Sequence, residues 1–215
     1  MPTAYDAYFF DWDGTLMQSI DIWISEIQKA YKHYGIEATD QEIGGKLGDW
    51  HATLAPIPEK DREIFSRELI EAAYGRYPSA PLFDGAKALL QRLKGQGKYT
   101  ALITTSERSA IETIIAQHEL GDVLDLIITG DDVKSHKPDP EGIKLALKHF
   151  GVKPSRAVMV GDTDKDLGAA SNAGIDSVLF YPELHAQYYD RQQLTRFNPV
   201  AVIEDWNAFC TEEAV

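Results

Sequence analysis

The sequence predicts a doubly wound α/β protein with a mostly parallel sheet, interrupted early by a helical insertion. Helix-like and strand-like segments alternate after residue 83, and residues 16–82 show helical patterns but no strand of convincing length. Strands separated by helices imply right-handed crossovers and a parallel sheet. The runs at 126–128 and 157–160 are apolar throughout, which fits strands covered on both faces.

The elements follow from local patterns. The first strand is expected in the aromatic run 8–10, which ends abruptly at Asp11. A helix begins near Ile20, where apolar residues recur at helical spacing, and Gly35 ends it. A linker-like stretch at 78–81 precedes the alternating part. Further helices are predicted at 86–93, 107–118, 140–150 and 165–173, and strands at 99–103, 124–129, 157–160, 175–180 and 200–203. This divides the chain into a core, 1–15 and 83–215, and a helical insertion, 16–82.

Composition excludes several classes of protein. A net charge of −13 argues against a nucleic-acid or anionic-membrane partner, because such partners need clustered Lys and Arg. A single cysteine, Cys210, excludes an intramolecular disulfide and fits a reducing cytosol. The apolar runs are far shorter than the roughly 20 residues that span a bilayer. We therefore expect a cytoplasmic protein, and a monomer or a homodimer would both be compatible with the sequence.

Asp11 and Asp13 follow the first strand at i, i+2 spacing. In an extended backbone this spacing puts both carboxylates on one side, with Trp12 turned the other way. Gly14 then lets the chain leave the strand in a conformation closed to other residues. Taken alone, the segment is also compatible with a polar strand end followed by an Asp-Gly turn.

The other predicted strands also end in groups suited to phosphate or a divalent metal. Because ligands bind beyond the carboxyl ends of parallel strands, we expect these groups to converge. They are Thr104, Thr105 and Ser106 after the second strand, Lys134 and Lys137 after the third, and Asp162 and Asp166 after the fourth.

Charge suggests how such groups would work. A carboxylate attacking a phosphate monoester is repelled, and a hard cation such as Mg²⁺, which prefers oxygen ligands, removes that repulsion. Asp13, crowded by other acids, is expected to hold a proton for the leaving oxygen. The expected metal ligands are Asp11, Asp162 and Asp166, and the expected phosphoryl donors are Lys137 and Thr104.

The chain resembles the haloacid dehalogenase-like superfamily of phosphohydrolases. All four family motifs occur in order, and the resemblance covers about 1–15 and 83–185. The motifs are Asp11-Trp12-Asp13-Gly14-Thr15, Thr104 after an apolar strand, Lys137-Pro138, and Gly161-Asp162 with Asp166.

The resemblance implies a role for each motif residue. Asp11 would be the nucleophile that forms an aspartyl-phosphate, and Asp13 the general acid and base. The implied phosphate-binding residues are Thr104, Thr105 and Lys137. Mg²⁺ would be held by Asp11, the backbone carbonyl of Asp13, and Asp162. Asp166 would lie beside these ligands or serve as a further metal-site carboxylate. Asp164 is an alternative to Asp166 for the fourth motif, but the motif spacing favours Asp166. Lys134 is an alternative to Lys137 for the third motif, but Pro138 favours Lys137. Asp131-Asp132 and His136 are expected to be loop residues.

The insertion resembles the small helical cap domain of the phosphoglycolate phosphatase and β-phosphoglucomutase branch. Lys46, Trp50 and His51 could face the substrate there, although surface or cap-core roles are an alternative for each. Residues 183–198 depart from the family pattern and receive no predicted role.

The resulting prediction is a Mg²⁺-dependent phosphatase that acts on a small phosphorylated metabolite. A phosphomutase of the same fold, and a hydrolase of pyrophosphate or a phosphonate, remain alternatives. A non-catalytic binding module is a further alternative, but it would be expected to lack Asp11, Asp13 or Lys137, and all three are present.

Overall fold

The structure is a computed structural model that describes residues 5–211, apart from the side chains at 208, 210 and 211. The side chain of Cys210 therefore lies outside the described part. Six parallel strands form one sheet in the order β3-β2-β1-β4-β5-β6. This confirms the doubly wound α/β fold.

The strands and helices lie close to their predicted positions. The strands are β1 Ala7–Phe10, β2 Tyr99–Ile103, β3 Leu126–Ile128, β4 Ala157–Gly161, β5 Asp176–Phe180 and β6 Ala201–Ile203. The helices of the first part are α1 Ile20–His33, α2 Asp40–Gly44, α3 Trp50–Leu54 and α4 Arg62–Arg76. The remaining helices are α5 Ala86–Gly95, α6 Arg108–Gln117, α7 Glu141–Phe150, α8 Asp164–Ala173, α9 Arg191–Thr195 and α10 Trp206–Thr211.

Both faces of the sheet are buried, as the apolar strands predict. In β1, Tyr8 and Phe10 belong to one hydrophobic core, whereas Ala7 and Phe9 belong to a second core on the other face. All four residues of the strand are at most 1% exposed. Alternate side chains of a strand point to opposite faces, so a strand with apolar residues at every position is covered by helices on both sides.

The helical segment, residues 16–82, contributes to a third apolar core. Ile24, Ile27 and Tyr31 of α1 pack there with Tyr188 and Tyr189. These tyrosines come from the stretch 183–198, to which the sequence assigned no role. The stretch therefore supports the helical segment from the sheet side.

The two chain passages between the sheet and the helical segment lie side by side. Met17 and Leu82 form an antiparallel bridge, and the amide of Phe83 donates to the carbonyl of Leu16 at 2.9 Å. Leu16 and Met17 are fully buried in the sheet-side core. The division into a core domain and a cap domain stays a prediction. Among residues 5–211, no helix has both the length and the apolar character needed to span a membrane.

Candidate active site

The site lies at the carboxyl ends of β1 and β4, where the order of strands reverses. The register pairs Phe10 with Val160, and the amide of Asp11 donates to the carbonyl of Val160 at 3.0 Å. Asp11 and Asp162 therefore leave adjacent strands at the same level. Such a switch point is where open α/β sheets bind ligands.

Three carboxylates and one ammonium group form what we call the site floor: Asp11, Asp162, Asp166 and Lys137. One oxygen from each carboxylate lies within 4.8 Å of the others, and all three aspartates are buried. The Lys137 Nζ donates to Asp11 Oδ1 at 2.5 Å and to Asp166 Oδ1 at 2.6 Å. It also donates to the carbonyl of Ile103 at 3.0 Å, so β2 helps to position it.

The site floor carries more negative than positive charge. Burial and the nearby Asp166 raise the pKa of Asp11 to about 7, although Lys137 opposes this shift. Burial, followed by the charges of Asp166 and Asp11, also raises the pKa of Asp162 well above its usual value. Burial works against the charge of Lys137, but Asp11 and Asp166 together raise its pKa. A single ammonium group is therefore insufficient to balance three buried acids.

This arrangement fits a divalent cation such as Mg²⁺. Asp162 Oδ1 accepts from the Thr15 hydroxyl at 3.0 Å, while its buried Oδ2 has no hydrogen-bond partner in the described structure. Gly14, at φ +79°, leaves that oxygen room, because a Cβ there would lie 2.4 Å from Oδ2. A hard cation prefers carboxylate oxygens, and its charge would offset the excess negative charge.

Asp13 is held by donors from two parts of the molecule. Its Oδ1 accepts from the hydroxyls of Ser19 at 2.6 Å and Tyr77 at 2.5 Å, and from the Trp23 indole at 3.4 Å. Its Oδ2 accepts from Ser106 Oγ at 2.7 Å. The immediate partners of Asp13 are thus hydroxyl and indole groups, whereas the crowding of acids predicted there occurs among Asp11, Asp162 and Asp166.

The residues after β2 are arranged in two layers. Thr105 and Ser106 line the cavity above the site floor. Thr104 is only 3% exposed, and its hydroxyl accepts from the amide of Ser106 at 3.1 Å. Thr104 therefore shapes the turn that places Ser106 against Asp13, and its predicted contact with phosphate stays a prediction.

Lys134 and Asp164, the alternatives to Lys137 and Asp166, make other contacts. The Lys134 amide donates to Glu141 Oε2 at 2.9 Å, whereas Asp164 pairs with Lys165 at 2.8 Å. Asp132 caps the short turn after β3 through Thr129 and pairs with Arg108. The side chains of Asp166 and Lys137 meet in the site floor, whereas Asp131 and His136, both predicted as loop residues, also line the cavity.

A cavity of about 380 Å³ lies between the site floor and the helical segment. Of the three substrate-facing candidates in this segment, Trp50 lines the cavity. Lys46 instead holds its Nζ 5.7 Å from the ring centre of Tyr31, and His51 is exposed. We call the apolar side chains that close the cavity from the helical segment the cavity wall. They are Ile20, Trp23, Leu47, Trp50, Ile70 and Tyr74.

Sequence reasoning missed two groups of residues. Ser19, Trp23 and Tyr77 orient Asp13, but they are ordinary residues of helical stretches and carry no motif. His185 is fully buried, with Nδ1 4.0 Å from Asp162 Oδ2, and burial lowers its pKa to about 3. Its imidazole packs edge-on against the rings of Tyr181 and Tyr189. A lone histidine in an unassigned stretch gave no spacing signal.

Comparison with known proteins agrees with the fold. The model of the haloacid dehalogenase-like hydrolase family matches residues 8–180, and the chain belongs to this family. Pyrophosphatase PpaX of Bacillus velezensis is 32% identical over 177 residues, which cover 78% of this chain and 79% of that protein.

Two solved structures show the same fold. One is a predicted phosphoglycolate phosphatase from Haemophilus somnus 129pt, with a TM-score of 0.82, 20% identity, and coverage of 99% of this chain and 100% of that one. The other is a haloacid dehalogenase-like family hydrolase from Streptococcus pneumoniae, with a TM-score of 0.81, 21% identity, and coverage of 98% and 99%.

Proposed function

We propose that the protein hydrolyses small phosphate monoesters through an aspartyl-phosphate on Asp11, in a site that binds Mg²⁺. The observation that carries this proposal is the buried site floor, where Lys137 bridges Asp11 and Asp166 beneath a cavity. One ammonium group and three carboxylates thereby lie close together, which supports Asp11 as the nucleophile and the carboxylate oxygens as metal ligands. This arrangement suits the transfer of a charged phosphoryl group.

The side chains divide the reaction between them. Asp11 attacks phosphorus and the bond to the leaving oxygen breaks, while Lys137 offsets charge on the transferring group. Asp13 donates its proton to the leaving alkoxide, and then takes a proton from the water that hydrolyses the aspartyl-phosphate. Asp11 is thereby regenerated and inorganic phosphate is released.

Asp11, the backbone carbonyl of Asp13, and Asp162 would hold the cation, with Asp166 beside them. Bound Mg²⁺ supplies positive charge that reduces the repulsion between the carboxylates and the phosphate. The helical segment would act as a cap that excludes water from the cavity and contacts the leaving group.

Replacement of the nucleophile tests this proposal. Asp11→Asn is expected to lower phosphate release from phenyl phosphate by about 10⁴-fold, because an amide cannot form the acyl phosphate. Circular dichroism and thermal unfolding should show that the fold persists. Hydrolysis near the unmodified rate would refute Asp11 as nucleophile, and full activity in excess EDTA would refute the metal.

The likeness to PpaX favours hydrolysis of pyrophosphate as a second candidate. The same site floor could serve, because attack on either phosphorus of pyrophosphate needs the same nucleophile and the same cation. The two candidates differ in the leaving group, which is a second phosphate in one case and an alcohol in the other. A phosphomutase would be recognised by an isomerised sugar phosphate in place of released phosphate.

A further inference from the structure

The cavity wall carries no charge. Three of its side chains are aromatic, Trp23, Trp50 and Tyr74, and three are aliphatic. Within residues 5–211, the only other residues of the helical segment that line this cavity are Gly48 and Thr53. A leaving group that enters the cavity from the site floor therefore meets rings and methyl groups, and no Lys or Arg of the helical segment.

The two indole N–H donors of the wall are already engaged. The Trp23 indole donates to the Tyr77 hydroxyl at 2.9 Å, and the Trp50 indole donates to Ser66 Oγ at 2.7 Å. The Tyr74 hydroxyl accepts from the amide of Glu107 at 3.0 Å. A leaving group rich in hydroxyls would give up its bonds to water and find both indole donors of the wall occupied, and each unpaired buried polar group carries a cost.

The sheet side of the cavity is also poorly suited to a second anion. Two acidic residues, Glu107 and Asp131, belong to its lining, together with the imidazole-bearing His136. The Lys165 ammonium lines the cavity too, but it pairs with Asp164 at 2.8 Å, and Lys137 is occupied by Asp11 and Asp166. A carboxylate or second phosphate on the leaving group would meet like charges with little compensation.

We propose that this cavity selects a phosphate monoester whose leaving group is an uncharged, aromatic alcohol. The proposal rests on the monoester hydrolysis proposed above and names its substrate class. The cavity volume of about 380 Å³ lies within the range of roughly 300–1,000 Å³ found for small-molecule sites, and such sites are lined mainly by apolar groups. Offset or edge-to-face contacts with the wall aromatics would hold the ring of the substrate.

Two arginines lie near the wall but outside this cavity. Arg62 and Arg67 line a second, more open groove that shares Trp50, Ile70 and Glu107 with it. Arg62 donates to the carbonyls of Ile57 and Ala55, which holds it on its own segment. The same groove also contains Glu63 and Glu71, so it offers no uncompensated positive field.

A substrate panel tests the selection. Phosphate release is measured with Mg²⁺ for benzyl phosphate, methyl phosphate, 2-phosphoglycolate, glucose 6-phosphate and pyrophosphate. The first four have an ordinary alcohol as leaving group, so differences reflect binding rather than an activated leaving group. We expect kcat/KM for benzyl phosphate to exceed each of the others by about tenfold or more.

A matched pair of variants on α4 tests whether the cavity wall causes the preference for an aromatic leaving group. Ile70 lines the cavity, whereas Ile64 on the same helix is 50% exposed. Ile70→Ala should lower the ratio of kcat/KM for benzyl phosphate over methyl phosphate by about fivefold, because apolar contact with the ring is lost. Ile64→Ala should leave that ratio within twofold. Thermal unfolding of both variants separates loss of contact from loss of fold.

The outcomes separate this inference from the function on which it rests. Turnover of methyl phosphate or phosphoglycolate without preference for benzyl phosphate would overturn the inference and leave the phosphatase intact. Preference for pyrophosphate would also overturn it. Absence of phosphate release from every monoester would overturn the proposed function itself.

Discussion

The site floor and the cavity wall face each other across one cavity but differ in the chemistry of their side chains. The floor holds four ionisable side chains, all buried and all in contact or nearly so. The wall holds six apolar side chains whose few polar atoms bond within the protein. In the proposed function, the floor would carry out phosphoryl transfer and the wall would discriminate between leaving groups.

The two regions also differ in how tightly the sequence determines them. Asp11 and Asp162 directly follow β1 and β4, whereas Lys137 lies in the loop after β3 and Asp166 lies in the first turn of α8. The wall residues come from α1, α3, α4 and the loop before α3, and their convergence depends on how these helices pack together. Predictions that perturb the floor should therefore have larger effects than those that perturb the helical segment.

After replacement of Asp11 itself, the largest effect is expected for Lys137→Met. This change removes the only ammonium bonded to Asp11 and Asp166 within the described chain. We expect phosphate release to fall by about 10³-fold, and the free energy of unfolding without Mg²⁺ to fall by about 3 kcal/mol, because buried carboxylates lose their partner. Kinetics and denaturant unfolding measure the two effects. Lys134→Met, at an exposed neighbouring position, serves as the control, and equal behaviour of the two variants would contradict the assignment.

The pH dependence of stability should show the excess negative charge of the floor. Burial raises the pKa of Asp11 to about 7 and also raises the pKa of Asp162 well above its usual value, so the folded state binds more protons than the unfolded state. Their contribution to stability is present at low pH and is lost as the pH rises through the folded pKa.

Without metal, the free energy of unfolding should therefore fall by on the order of 2 kcal/mol between pH 5 and 7. Mg²⁺ should reduce this fall, and Asp162→Asn should do so without metal. Chemical denaturation in EDTA over this range provides the measurement. Stability that rises with pH in EDTA would be inconsistent with the floor described here.

A smaller effect is expected for Ser106→Ala. This change removes the hydroxyl that holds Asp13 Oδ2, while the donors from the helical segment to Oδ1 remain. We expect kcat to fall by about tenfold, because one charge-assisted hydrogen bond orients the proton-transferring group. Ser109→Ala, at an exposed position of the following helix, is the matched control. If both variants keep the unmodified kcat, Ser106 has no positioning role.

The smallest effect is expected for His51→Ala. His51 is exposed and does not line the cavity in the described structure, although it lies next to Trp50, which does. Activity toward phenyl phosphate should stay within twofold, since surface substitutions away from a site cost little. A loss of tenfold or more would show that His51 reaches the substrate.

The sequence therefore predicted the fold and the floor more fully than the wall. Asp11 and Asp162 could be placed because parallel strands end at one edge of the sheet, and residues at their ends converge there. Lys137 lies farther from its strand and was chosen because Pro138 follows it. Trp23 and His185 could not be placed, because side chains from distant segments meet only through tertiary packing. The same limit explains why Lys46, Trp50 and His51 could not be ranked from their positions alone.

Asp13 lies between the sheet side and the helical segment, and its orientation depends on both. One carboxylate oxygen is held from the sheet side by Ser106, and the other by Ser19, Trp23 and Tyr77 of the helical segment. If the helical segment moved away from the sheet, Asp13 Oδ1 would lose these hydrogen-bond donors. If Asp13 transfers the proton as proposed, its carboxylate is held in the orientation seen here only while the helical segment lies against it, so the orientation of this group and the closure of the cavity are coupled.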